Sequence, residues 1–485
     1  MSAKSPYAQG PEPDDTGADS TDSCLLPAAS LARLYAGGAL SPVEAVRAVL
    51  DRIDRCDTTV NAFALLLPDE ALDRARAAEA RWRQGRPLSP IDGVPATIKD
   101  LTLMRGHPTL MGSRITDPAG PWDEDAPAVS ALRDAGAVFV GKTTTCEFGW
   151  KGVTDSPLCG VTRNPWDPAR TPGGSSGGAA ASVALGMGTL ALGGDGGGSI
   201  RIPASFTGIF GLKPSHGRVP YYPPSAIGTL SHVGPMARCV EDAALMLAAM
   251  ARRDPRDWLA LPDTDPADLL DGLNGGVEGM RIGFSPDLGC GPVASAVATA
   301  FAQAVAAFAE LGAEMRPVDL HLEARPLYET LAGAGKTQRY RTLTEEQKRL
   351  ADPGYIAMAE RGLAVDLPAY LAAMQDRIAM GQRINALFQE IDILLTPTMP
   401  LTAFAAGHDV PPGSGMQRWT DWNPFTPPFN LTGNPAASIP CGRDGDGMPI
   451  GLQIVGDRYA DGLVLRTARA FEAAHPFPLP PLPDA

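Results

Sequence analysis

The sequence predicts an α/β fold, one large domain whose central β-sheet is covered by helices on both faces. Three observations carry this reading. Short apolar runs of strand length alternate with longer segments of helical periodicity along most of the chain, the pattern of layered α/β domains. No internal repeat and no long Gly/Ser linker divides the chain into modules. Hydrophobic residues make up 44% and charged residues 20% of the 485 positions, enough apolar material for a single large core.

The elements follow in chain order. Residues 1–24, rich in Pro, Asp, Ser, Gly and Ala and without an apolar run, read as a flexible tail rather than a secretory signal, and 25–485 as the folded domain. Ser41-Pro42-Val43-Glu44 has the capping-box pattern with Pro at the first helical position, and Ala45, Val46, Val49, Leu50 and Ile53 continue at helical spacing. A helix is therefore expected over 42–55, and a second one, rich in Ala and Arg, over 69–84. Residues 94–98 read as a short buried strand that ends at Lys99, followed by a helix at 126–135 and a strand at 137–140. Further strands are expected at 189–192, 280–284, 393–396 and 450–455. Helices fit 178–187, 239–251, 293–311, 366–388 and 460–474. The stretch 401–430 carries Trp419, Trp422, Phe425 and Phe429 amid prolines, too many aromatics for a simple connector. It reads equally as a pocket wall or as a loop packed onto the core.

Composition narrows the function. A net charge of -14 argues against a nucleic-acid footprint and against attraction to anionic membranes. No apolar run reaches the length of a spanning helix. The seven cysteines are scattered and never form a Cys-x-x-Cys pair, which suggests reduced thiols in a cytoplasm rather than disulfides or a metal site.

Two motif matches fail on context. Gly136-Ala137-Val138-Phe139-Val140-Gly141-Lys142-Thr143 satisfies the phosphate-loop pattern, but a phosphate cradle needs a loop where Ala-Val-Phe-Val spells a buried strand. Gly173-x-Ser175-x-Gly177 satisfies the nucleophile-elbow pattern of an α/β-hydrolase-type esterase, with His408 or His475 as possible partners. An elbow follows a buried strand, whereas three prolines crowd 164–172 here.

A third reading uses more of the chain. Gly173-Gly174-Ser175-Ser176-Gly177-Gly178 and Asp195-Gly196-Gly197-Gly198-Ser199-Ile200-Arg201 place two serines in glycine-dense segments, with Lys99 upstream in Gly93-Val94-Pro95-Ala96-Thr97-Ile98-Lys99-Asp100. Glycine leaves backbone N–H groups uncovered, which suits a nucleophile facing a developing oxyanion. These segments occur together with Gly141-Lys142-Thr143-Thr144, Asn164-Pro165-Trp166, Phe210-Gly211-Leu212-Lys213-Pro214-Ser215, Gly234-Pro235-Met236-Ala237-Arg238, Asn430-Leu431-Thr432-Gly433 and Gly451-Leu452-Gln453-Ile454-Val455-Gly456. Over 28–475 the chain resembles the amidase signature family.

The resemblance implies a mixed central sheet and a Ser-cisSer-Lys triad, with Ser199 as nucleophile, Ser175 bridging from a cis peptide and Lys99 as base. It also implies an oxyanion hole from the amides of Gly196, Gly197, Gly198 and Ser199, and no metal or cofactor. One departure is Gly194, where a Thr is common; it is expected to touch none of the reacting groups.

The chemistry sets demands of its own. A serine hydroxyl needs a base to take its proton, and a lysine serves only as a free amine. At an ordinary pKa of about 10.4 roughly one lysine in 2,500 is neutral at pH 7, so burial without a paired acid has to lower the value for Lys99. Alternation along the strand points Asp100 to the opposite face. Ser175 then relays the proton and returns it to the departing amine, the step that an amide requires. Ser176 is expected to cap the following helix and hold the loop. Asp195 and Arg201 read as an ion pair shaping the glycine loop, and Lys142 and Lys213 as solvated structural lysines.

The expected activity is amide C–N hydrolysis through an acyl-enzyme on aryl or acyl amides, with ester and carbamate (urethane) hydrolysis open to the same chemistry. Trp150, Tyr221, Tyr222, Trp419 and Trp422 are candidates for an aromatic pocket, with core packing an equal alternative for each. The expected partner is a small-molecule amide and the expected state a monomer or homodimer. The rival reading is the glutamine amidase subunit of a tRNA-dependent amidotransferase, from which the Trp-rich loop near 420 leans away.

Overall fold

The structure is a computed structural model that describes residues 22–482; residues 1–21 of the expected tail lie outside the described residues. Residues 22–24 are packed rather than loose. Ser23–Leu25 form a turn of 3-10 helix, Cys24 is buried and Asp22 pairs with Arg52. The helix Pro42–Val60 starts as its capping box dictates, with Ser41 Oγ accepting from Glu44 N and the Glu44 carboxylate accepting from Ser41 N. It runs five residues beyond the expected end because buried Cys56 and Val60 continue the apolar stripe, and it stops at Asn61, whose φ of 52° is left-handed.

The strands are β1 (Phe63–Leu66), β2 (Pro95–Lys99), β3 (Val138–Thr143), β4 (Asp155–Ser156), β5 (Gly160–Val161), β6 (Leu190–Asp195), β7 (Phe210–Lys213), β8 (His232–Ala237), β9 (Arg281–Phe284), β10 (Glu314–Pro317), β11 (Ile393–Pro397), β12 (Ala436–Arg443) and β13 (Pro449–Gly456). Eleven of them form one sheet in the order β1-β3-β2-β6-β8-β7-β12-β13-β11-β9-β10, while β4 and β5 make a separate ribbon. The sheet is mixed: β3, β2 and β6 are parallel, β9 is parallel to β10 and β11, and the remaining pairs are antiparallel. Helices pack on both faces. On β11, Ile393 and Leu395 enter one buried cluster and Leu394 the other, as alternation along a strand requires.

The expected strands and helices appear within three residues, apart from the longer first helix. Strands β7, β8 and β12 carry Gly or Pro inside short segments, so their local sequence argues against them and their place in the sheet is decided by tertiary packing. Within the segment 136–143, residues Val138–Thr143 are strand β3, not a phosphate loop.

The pairing of β2 with β6 positions the site. Ala96 lies opposite Leu190 and Ile98 opposite Leu192 in parallel register, so Lys99 and the glycine loop after Asp195 leave the sheet side by side at the carboxyl ends of neighbouring strands. Open α/β sheets bind ligands at such ends.

Candidate active site

Lys99 closes a strand whose five residues are all buried, and its side chain is 1% exposed. Its Nζ lies 2.7 Å from Ser175 Oγ, 2.8 Å from Ser176 Oγ and 3.4 Å from the Gly194 carbonyl oxygen. Among the described residues no carboxylate forms an ion pair with it. Burial therefore lowers its pKa from 10.5 to about 7, opposed only by the more distant Cys146 and Asp195. Asp100 does point away, and its Oδ1 lies 2.8 Å from Lys142 Nζ.

The peptide bond between Gly174 and Ser175 is cis. Ser176 occupies the cap position of the helix Gly177–Ala184, yet its hydroxyl caps nothing. It bonds the Lys99 amine and the Gly194 carbonyl instead, at 2.8 and 3.1 Å, so the capping expectation is corrected: the side chain turns toward the buried amine. The expectation for Gly194 is corrected too, because its carbonyl reaches Lys99.

The glycine loop is held from inside by Asp195. Its carboxylate accepts from Gly198 N at 2.7 Å, Ile200 N at 3.2 Å and Asn430 Nδ2 at 2.9 Å, and takes the Arg201 guanidinium through two 3.0 Å bonds. The Arg201 charge is the main force holding this carboxyl below the usual carboxylate range against burial. Arg201 also donates to Gln453 Oε1 at 2.8 Å and Asn430 Oδ1 at 2.6 Å. From outside, Asn423 Nδ2 and Thr426 Oγ1 each donate to the Gly197 carbonyl at 2.7 Å. Gly198 has a φ of +121°, and a Cβ there would meet Thr426 Oγ1 at 2.1 Å, so this position requires glycine.

Ser199 is 8% exposed, and its carbonyl accepts from Ser176 N at 3.2 Å, which ties the two serine segments together. The amides of Gly196, Gly197 and Ser199 bond to no described residue. That of Gly198 does, so the expected four-amide oxyanion hole is corrected to three free donors, the fourth being committed to Asp195.

The aromatic candidates do not converge. Trp150 and Trp419 line a cavity of about 400 Å³ with Glu329, Arg361 and Arg418. Trp422 is fully buried, stacked on Phe206 with ring centroids 6.2 Å apart, and its indole donates to the Asp409 carbonyl. Tyr221 packs on the core, and Tyr222 lies under the Arg256 guanidinium at 4.9 Å. A shared pocket of all five is thus corrected: the loop around 420 serves by clamping the glycine loop and by seating Trp419 against Tyr328, whose hydroxyl approaches Gly197.

The two structural lysines are not solvated. Lys142 is sealed with Asp100, and Lys213 is sealed between the Pro214 and Asn434 carbonyls, with no carboxylate paired to it among the described residues. Sequence reasoning singled out neither Asn423, Thr426, Tyr328 nor Cys146. Asn423 and Thr426 lie 226 and 229 positions from their partner, and no local pattern announces such contacts. Asn430 and Gln453 fall in segments that carry the family resemblance, which flagged them without a role.

A family model described as Amidase matches residues 44–465. The chain belongs to the amidase signature family. This amidase is an amide-hydrolysing enzyme of a family with varied members. It is 37% identical over 463 residues to a glutamyl-tRNA(Gln) amidotransferase subunit of Chloroflexus aurantiacus, covering 90% of this chain and 94% of that one. It is 36% identical over 470 residues to an acylamidase of Rhodococcus erythropolis, covering 93% and 96%. The crystal structure of a bacterial aryl acylamidase superposes with a TM-score of 0.86 at 31% identity, covering 93% and 96%. No helix among the described residues is long and apolar enough to cross a membrane.

Proposed function

We propose that the amidase cleaves aryl or acyl amides through an acyl-enzyme on Ser199, with Ser175 as proton relay and Lys99 as the ultimate base. The observation that carries this reading is the Lys99 amine, buried 2.7 Å from Ser175 Oγ, forming no ion pair among the described residues and with a pKa lowered to about 7. Half of it is then neutral near pH 7, against roughly one in 2,500 for an ordinary lysine.

In this mechanism the neutral amine accepts the Ser175 proton while Ser175 Oγ accepts that of Ser199, whose oxygen attacks the carbonyl carbon. The free amides of Gly196, Gly197 and Ser199 face the developing oxyanion. The protonated relay then hands its proton to the leaving nitrogen, since an amine anion does not depart unaided. Water repeats the sequence on the acyl-enzyme and restores Ser199. Ser176 acts as a positioning residue: its hydroxyl and the Gly194 carbonyl hold the amine beside Ser175. Ester and carbamate substrates suit the same sequence of steps.

The test is labelling by a fluorophosphonate together with hydrolysis of a p-nitroanilide. Loss of both in Ser199→Ala, with the fold retained, is the expected result. Labelling at another serine contradicts it. A second reading, glutamine hydrolysis within an amidotransferase complex, is supported by the 37% identity to such a component over 90% of the chain. Ammonia released from glutamine only when partner subunits are added favours it; anilide turnover by the isolated chain favours the first.

A further inference from the structure

The helix Arg325–Tyr340 packs on the glycine loop, and its residues 328, 332, 335, 336 and 339 share one face by helical spacing. This face meets the site at three levels. At one end, a Cβ built on Gly197 would lie 2.5 Å from the Tyr328 hydroxyl. In the middle, Gly335 packs against Ala226 and Ile227, and the Ile227 side chain in turn lies against Gly196. At the other end, the Arg339 guanidinium sits 4.2 Å from the centre of the Phe148 ring. Phe148 precedes Gly149, whose Cβ position is 3.3 Å from Ser175 Oγ.

Lys336 lies between these contacts. The residue is 7% exposed, yet among the described residues its ammonium donates no hydrogen bond and pairs with no carboxylate. Burial holds its pKa down to about 8, opposed only by the Cys146 thiol, which is also a neighbour of Lys99. Arg339, one turn on, forms no ion pair among the described residues either. In a chain with 55 acidic and 41 basic residues, two cations one turn apart that form no ion pair among the described residues are a departure from the average surface. A buried ammonium without hydrogen bonds is costly, and an anion that reaches it removes that cost.

We infer that Lys336 is a specificity residue, an ammonium that receives a carboxylate carried by the amide substrate, with Arg339 guiding the anion from the exposed rim. The inference rests on the proposed acylation of Ser199. It deepens that reading by naming a substrate class, amides with an anionic group.

The test uses the full chain and two substrate pairs. Glutaryl and pentanoyl p-nitroanilide differ by a carboxylate on the acyl side; 3-acetamidobenzoate and acetanilide differ by one on the amine side. The anionic member of one pair is expected to have a kcat/KM about 10-fold to 100-fold higher, mostly through KM. Which pair shows it tells where the carboxylate sits. Lys336→Met and Lys336→Gln are expected to collapse this ratio toward unity, whatever change the two substrates share, and Lys336→Arg to keep part of it. Protection of Ser199 from a fluorophosphonate by the same compounds gives a readout without turnover. A wild type with no anionic preference in rate or in protection overturns the inference, as does a ratio unmoved by Lys336→Met. Loss of all turnover and labelling in the wild type instead overturns the acylation mechanism, and the inference with it.

Discussion

Two lysines on neighbouring strands share the same burial and differ only in what touches them. Lys99 on β2 and Lys142 on β3 are 1% and 0% exposed, and their strands run in parallel with Ile98 opposite Lys142. Lys142 meets the Asp100 carboxylate at 2.8 Å, the Pro108 carbonyl at 2.8 Å and the Thr109 hydroxyl at 2.5 Å. Lys99 meets two serine hydroxyls and a carbonyl. Burial pulls the pKa of both down, and at Lys142 a carboxylate in contact opposes it. Lys151 completes the series: Asp155, Asp352 and Asp409 all pair with its ammonium and together raise its pKa. Burial alone thus does not decide the charge of a lysine: a carboxylate in contact opposes the fall in pKa, and alternation along β2 keeps Asp100 from Lys99 by sending it to the other face.

The strongest way to break this contrast is to remove the groups proposed to react. Ser199→Ala and Lys99→Met are each expected to lower kcat/KM for an anilide by ~10⁴-fold or more, measured by p-nitroaniline release. Lys99→Met is also expected to be the more stable protein near neutral pH. Below pH 7 Lys99 is protonated in both folded and unfolded chains, and its burial cost is greatest; above about 10.5 it is neutral in both and that cost vanishes. Wild-type stability relative to Lys99→Met should therefore rise by about 4 kcal/mol between pH 7 and 10.5, followed by urea unfolding at each pH. A flat difference would mean that the amine is not neutral in the fold.

Ser175→Ala cuts the proposed relay but leaves the proposed base and nucleophile, and a loss of about 10³-fold is expected in the same assay. Asp100→Asn acts on the other lysine. It leaves Lys142 buried without its acid, so an unfolding free energy lower by about 3 to 5 kcal/mol is expected, with the pH–rate profile of the remaining enzyme unmoved. A shifted profile in that variant would mean that the two lysines are coupled. Ser176→Ala should be mildest, about 10-fold in kcat, because Lys99 keeps Ser175. A loss equal to that of Ser175→Ala would show that either hydroxyl carries the proton.

Much of this was legible in the sequence. Strands with continuous apolar character, such as 393–397, and capped amphipathic helices such as Pro42–Val60 announce themselves locally. The glycine-dense serine segments and Lys99 at a strand end marked the candidate site. What could not be read was set by long-range contact. Gly198 looks like a spare donor until Asp195 is seen to take its amide, and Ser176 looks like a cap until the amine of Lys99 is found beside it. The aromatic residues near 420 carry no sign of whether they face a cavity or the core, and the structure divides them: Trp419 lines one, while Trp422 is sealed. The fate of Lys142 and Lys213 misled for the same reason, since their partners come from elsewhere in the chain or from backbone carbonyls.

The contrast between the two lysines reduces to one titration. In protein carrying ¹³C-labelled lysine, the Lys99 signal, assigned by its disappearance in Lys99→Met, should shift with a midpoint near pH 7 and track the rise of kcat/KM for an anilide. A midpoint near that of a free lysine, about 10.4, in fully active enzyme would contradict the role of Lys99 as base.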